Sequence, residues 1–155
     1  MLLILGLLIF GARSLGSHLI WNQTPSIPRG LYWYTQARPT VGEIAVLKPP
    51  GHVADLAEQR GYLPRDVFLM KPVAAGSGET VCSDWSGTVV GAAWAPPLVS
   101  DSHGRALPRS RFCGTLPTGA VWLAVLGEPW SFDSRVFGPV QEADLAGKAE
   151  TIWTF

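Results

Sequence analysis

Val67-Phe-Leu-Met-Lys-Pro-Val73 is the stretch on which the reading of this chain turns. Its aliphatic and aromatic run is that of a β-strand, and a single charge, Lys71, interrupts it. Two placements suit that lysine. On an edge strand it points to solvent and guards the edge against further pairing. In an apolar environment its pKa falls, because burial penalises the ammonium form, and the neutral amine can then take a proton.

Strands are expected on both sides of this one. Upstream, Gly30 opens the aromatic run Leu31-Tyr-Trp-Tyr34, and Val41–Leu47 gives a second strand that Lys48-Pro-Pro-Gly51 stops. Residues 53–62 are the one helical candidate in the middle, with Gly61 as its end. Downstream come Thr80–Cys82, Thr88–Val90 and Ala92–Trp94 as short strands, a turn at His103-Gly-Arg105, and Ala120–Leu126 as a central strand. The tail Gln141–Lys148 reads as a short terminal helix. With 17 glycines and 13 prolines punctuating these pieces, the expected class is mostly β, a compact domain of short antiparallel strands behind one N-terminal helix.

That helix is expected from the head of the chain. MLLILGLLIF carries no charge, Arg13 interrupts the run, and Leu15–Trp21 resumes it. Leu2–Ala12 alone would cover about 16 Å of a hydrocarbon layer about 30 Å thick, whereas Leu2–Trp21 can cross if Arg13 snorkels. A cleavable signal peptide and a buried soluble helix compete with this, but a signal peptide wants a basic start that is missing here. The expectation is therefore an anchor over residues 1–21 and an exported domain over 22–155, a monomer held at a lipid bilayer. The whole chain has 155 residues, 12 basic and 12 acidic, and no run of Lys or Arg, so a nucleic-acid partner is disfavoured.

Cys82 and Cys113 bracket a polar segment, and in an exported chain they are expected to form a disulfide and define a small loop or subdomain. No metal or cofactor site is expected, since CxxC is absent and His18, His52 and His103 stand singly. For chemistry the candidate is Ser26. Pro25 and Pro28 stiffen the segment Asn22–Arg29, NQTPSIPR, around it. A serine hydroxyl needs a base; the histidines are poorly placed and no G-x-S-x-G elbow is present, so the economical partner is Lys71.

Three segments carry a family likeness: Ser26-Ile-Pro-Arg-Gly-Leu-Tyr32, Lys71 with Val73 and the loop Ala74-Ala-Gly-Ser-Gly-Glu-Thr-Val81, and Ser131-Phe-Asp-Ser-Arg-Val-Phe-Gly138. In order and spacing they resemble the boxes of the type I signal peptidases (peptidase S26), closest to the conjugative-transfer, TraF-like branch. The resemblance implies a signal-peptidase-like β domain. It makes Ser26 the nucleophile and Lys71 the general base, with an oxyanion hole from the Ser26 N–H and the Thr24 hydroxyl. Ser131 then orients the lysine, Asp133 and Arg135 form a structural pair, and Ser134 and Gly138 complete the box. Two departures from the family pattern are Pro72, where an arginine usually follows the lysine, and the loop Ala75-Gly-Ser-Gly-Glu79 in place of G-x-P-G-D.

The implied function is a membrane-bound serine endopeptidase of the inner (cytoplasmic) membrane, its catalytic part on the periplasmic side, that cleaves leader peptides from membrane-inserted precursors such as pilin subunits. The acyl-enzyme is resolved by water or, in a cyclising transpeptidation, by an internal amine. A different class also fits: a noncatalytic membrane-tethered β module of a secretion or conjugation apparatus, using Trp33, Tyr34, Trp85 and Trp94 as a binding face. The distance between Lys71 Nζ and Ser26 Oγ separates the two, about 3.2 Å or less favouring the dyad. Trp21, Trp33 and Trp130 are read as ordinary packing or as substrate-facing, and Asp133–Arg135 as a surface pair or as the support of the matched box.

Overall fold

The structure is a computed structural model and describes residues 18–155. Its strands are β1 (Leu19–Asn22), β2 (Gly30–Thr35), β3 (Ile44–Leu47), β4 (Leu69–Ala75), β5 (Thr80–Asp84), β6 (Gly87–Val90), β7 (Ala93–Ala95), β8 (Phe112–Thr115), β9 (Ala120–Leu123), β10 (Val140–Gln141) and β11 (Leu145–Thr154). Helix α1 covers Gly51–Gln59, the short α2 covers Ser134–Phe137, and a 3-10 turn covers Glu142–Asp144. Two sheets result, one of seven strands in the order β1-β2-β11-β3-β4-β9-β10 and one of four in the order β7-β6-β5-β8, with every pairing antiparallel.

The mostly β expectation holds in this architecture, but its membrane helix is corrected. No helix among the described residues is long and apolar enough to cross a membrane, so the expected transmembrane helix and the inner-membrane placement built on it are overturned. Leu19–Trp21, expected as the end of that helix, form β1 and pair residue for residue with β2, Leu19 opposite Trp33 and Asn22 opposite Gly30. The reason is the partner: these apolar residues lie across from an aromatic strand that satisfies their backbone groups. The rest of the expected helix, residues 1–17, lies outside the described residues.

Two other expectations shift. The tail is not a helix; after the 3-10 turn the chain runs as β11 between β2 and β3, gaining backbone partners on both sides, and Thr151, Ile152 and Trp153 suit a strand. The middle helix starts earlier, at Gly51, and ends before Gly61, whose φ of +69° turns the chain out. There Gly61 N–H donates to Glu58 O and Tyr62 N–H to Ala57 O, a Schellman closure that delivers Tyr62 to the functional cleft.

The larger core packs Ala45, Leu47, Val53, Leu69, Val73, Leu123 and Phe132 beneath α1. On the other side of the sheet Ile27, Tyr32, Val46, Met70 and Ala149 form a second cluster. Trp122 joins the end of the large sheet to the small one, packing with Ala75, Val81 and Leu116. In the small sheet Cys82 and Cys113 face each other across β5 and β8 and are joined as a disulfide, a crosslink worth about 3–4 kcal/mol by loop entropy.

Gly30 shows why one motif glycine is needed. It opens β2 with φ +152°, and a Cβ there would be driven into the Trp153 carbonyl oxygen of β11. Gly30→Ala should therefore part β2 from β11 and cost about 3 kcal/mol, read as a lowered urea midpoint; an unchanged midpoint contradicts the close approach.

Candidate active site

The site begins at the loop 23–29 that joins β1 to β2, with Ser26 at its tip. Asn22, at the end of β1, organises it from inside: its Nδ2 donates to the carbonyls of Thr24, Ile27 and Pro28 at 3.0, 3.2 and 3.1 Å. Its Oδ1 accepts from Thr24 N–H at 3.1 Å and from Thr24 Oγ1 at 2.8 Å. The Tyr32 hydroxyl adds a bond to Pro28 O, and Ile27 anchors the loop in the core beside Met70.

Lys71 comes to this loop from β4. The edge-strand alternative is excluded by the sheet order, because β4 lies between β3 and β9. Only 3% of Lys71 is exposed. Along the strand its face is shared with Leu69 and Val73, both in the larger core, and directly across stands Ala45, small enough to leave it room. Lys71 Nζ donates a hydrogen bond to Ser26 Oγ. Burial pushes the lysine pKa down to about 8; Asp133 and Glu128 work against that shift and Arg135 with it. Pro72, the departure next to the lysine, is accommodated where β9 leaves β4: Ala124 N–H donates to Pro72 O at 3.2 Å, and the β4–β9 pairing lies beyond it at Val73 and Ala75.

The third segment forms a buried knot behind the lysine. Asp133 caps α2, accepting from Arg135 N–H at 3.1 Å, and its carboxylate also takes Arg135 Nε at 3.0 Å, Arg135 Nη2 at 2.9 Å and Val125 N–H at 3.1 Å. Arg135 Nη2 in turn donates to Val125 O and Glu128 O, so the pair fixes the segment leading into the site. With side-chain exposures of 2% and 0% this is no surface pair. Ser134 Oγ accepts from Leu123 N–H at 3.0 Å, and Gly138, at φ +85°, closes α2 by donating to Ser134 O at 2.8 Å. Ser131 lies in the same cleft as Lys71, but its buried hydroxyl has no hydrogen-bond partner, so the bond to the lysine that the resemblance implies is not made.

Ser26 and Lys71 open into a cleft of about 240 Å³. Its walls are Thr24 and Pro25, the apolar Leu63, Leu69, Leu107 and Phe132, and a rim of Glu128 and Trp130. Tyr62 closes one side, donating to Asp101 Oδ2 at 2.6 Å; burial, then this bond, push its phenol up to about 12. Asp101 is itself held by Arg105 Nε at 2.7 Å and by the N–H groups of His103 and Arg105. Of the tryptophans, Trp130 reaches the cleft, whereas Trp21 stacks with Trp153 and Phe155, and Trp33 with His18. Trp85, in the turn between β5 and β6, and Trp94, on β7, are exposed on the small sheet. Among the described residues the one grouping with metal-ligand spacing is Cys82, Asp84 and Cys113, whose sulfurs are joined to each other.

Sequence reasoning missed Asn22, Tyr62 and Asp101. Asn22 has a local signal, since an Asn two residues before a Thr is set to fold its side chain back on the chain. Tyr62 and Asp101 have none, because they lie 39 residues apart and meet only through tertiary packing.

A lysine amine buried beside a serine hydroxyl, in a cleft of an antiparallel β domain, suits a signal-peptidase-related protein. The chain matches the family described as signal peptidase, peptidase S26, over residues 1–154, and it belongs to that family. It is 36% identical over 151 residues to the plasmid transfer protein TraF of Escherichia coli, covering 90% of this chain and 84% of that one. It is 34% identical over 167 residues to the conjugal transfer protein TraF of Agrobacterium fabrum (strain C58 / ATCC 33970), covering 97% and 92% respectively.

Asp133→Ala leaves the buried Arg135 guanidinium without its counter-charge and should cost about 3–5 kcal/mol in chemical denaturation. Lys71→Met should do the reverse: at pH 7, below the folded pKa of about 8, the native state carries a buried ammonium, so the apolar replacement should raise the melting temperature. A lower melting temperature at pH 7 would contradict the burial penalty read here.

Proposed function

We propose that this chain is a serine endopeptidase working through a Ser26–Lys71 dyad, and that it removes the leader segment of an exported precursor, such as a pilin subunit, for a conjugative transfer apparatus. The observation that carries the reading is the hydrogen bond from Lys71 Nζ to Ser26 Oγ inside an apolar strand environment. Neutral Lys71 accepts the Ser26 proton as Ser26 Oγ attacks the scissile carbonyl. The Ser26 N–H and the Thr24 hydroxyl stabilise the oxyanion; collapse of the tetrahedral intermediate breaks the C–N bond, and the lysine proton leaves on the amine. Water or a second amine then attacks the acyl-enzyme, regenerating the serine. The relatives' names as transfer proteins support the apparatus, and the apolar walls of the cleft suit an uncharged peptide segment. The noncatalytic β module is disfavoured, since a binding protein has no use for a lysine buried against a serine.

The test is incubation of the full chain with precursors encoded beside it, product termini being identified by mass spectrometry. Ser26→Ala and Lys71→Ala should each abolish cleavage in folded protein, and retained cleavage by either ends the dyad assignment. A product one water lighter than the cleaved chain identifies cyclisation. Because the base must be neutral, the rate should rise with pH through about 8 and level above it; a rate that falls over that range excludes Lys71 as the base.

A further inference from the structure

We infer that Asn22 is a positioning residue for the reaction proposed above, on which the inference rests: its buried carboxamide holds loop 23–29 in one shape and sets the direction of the Thr24 hydroxyl proton. Asn22 is 6% exposed and makes five hydrogen bonds within or beside the loop that carries Ser26. Its orientation is unambiguous. The nitrogen faces three carbonyls, which only accept, and the oxygen faces an N–H, which only donates; turning the amide over would oppose like to like at these four contacts, the Thr24 hydroxyl alone being able to adapt.

The loop needs such a clamp because it cannot supply one from its own backbone. Pro25 and Pro28 have no N–H, and the β1–β2 pairing stops at Asn22 and Gly30. The carboxamide is therefore the internal scaffold for the Thr24, Ile27 and Pro28 carbonyls, with two hydrogens shared among three acceptors, and Tyr32 supports the last of them. Losing it would strand several partly buried acceptors at once and release Ser26 from Lys71.

Asn22 also acts on Thr24. That hydroxyl has one proton and donates it to Asn22 Oδ1. Before reaction the oxyanion donor is thus occupied, and it can turn to the substrate only when another acceptor outbids a neutral amide oxygen. A developing oxyanion does so, because hydrogen bonds to charge are stronger than those to neutral oxygen. Asn22 Oδ1 keeps the Thr24 N–H when the hydroxyl leaves, so the exchange strands no group. The stabilisation is then expressed in the transition state and not in the bound ground state, which raises kcat without tightening KM.

The test uses the full chain, the p-nitrophenyl ester of N-acetylalanine as acylating probe, and amide hydrogen exchange at Thr24. Asn22→Ala should speed Thr24 exchange by at least about tenfold and lower kcat by about a hundredfold, with KM within about threefold of wild type. Thr24→Val should lower kcat strongly in the wild-type background and by less than about threefold in Asn22→Ala, because the two side chains act as one unit. Unchanged Thr24 exchange in Asn22→Ala, or effects of the two substitutions that simply multiply, overturns the inference. If Asn22→Ala does not fold, Asn22→Asp decides: it keeps the acceptor and loses both donors, so wild-type kcat in that variant also overturns it. Should wild type release nitrophenolate no faster than Ser26→Ala, the dyad reading is what fails, and Thr24 exchange alone then upholds or removes the clamp.

Discussion

The arrangement of the site depends on keeping one lysine side chain almost wholly buried on an internal strand. Lys71 is held between Leu69 and Val73 on an internal strand, opposite Ala45, where the ammonium form is disfavoured by burial and its pKa falls to about 8. An edge strand could not do this, since a four-carbon stem there would carry the charge back to solvent. Burial is the largest influence on the amine; among the neighbouring charges Asp133 and Glu128 favour the ammonium and Arg135 opposes it. The amine and the Ser26 hydroxyl then meet in a cleft whose walls are largely hydrocarbon.

Two polar assemblies keep that apolar site in shape. On one side the Asp133–Arg135 pair, fully buried and linked to Val125 and Glu128 backbone, fixes the segment that runs past the lysine. A buried ion pair of this kind adds little net stability, but its removal by halves is costly, so its effect is to impose a single arrangement on the chain around it. On the other side Asn22 imposes one arrangement on the serine loop. Hydrocarbon supplies the electrostatic environment and the two polar knots supply the geometry.

Much of this was legible beforehand, and the reasons for the failures are physical. Short strands bounded by glycine and proline announced themselves, because turn chemistry and β-formers are local properties. Ser26 and Lys71 were separable from the other serines and lysines by their immediate neighbours, two prolines in one case and an apolar run in the other. Leu19–Trp21 and Leu145–Lys148 read in the sequence as parts of helices and form strands for a common reason. Each is a short apolar or mixed segment whose state is decided by which strand lies beside it, and that strand is β2 for the first and β2 with β3 for the second.

The sequence by itself determined a mostly β domain, the chemistry of its two candidate reacting groups and the segments in which their supports lie, since residue type and near-neighbour pattern are sufficient for these. Tertiary structure alone decided that β4 is internal, which turns Lys71 from a surface charge into a buried amine. It alone decided that Tyr62 and Asp101 wall the cleft and that Ser131 stands near the lysine without bonding it. Each of these depends on contacts between residues distant in the chain, and desolvation, which sets the lysine's pKa, is a property of everything packed around a group and not of the group's own neighbours in sequence.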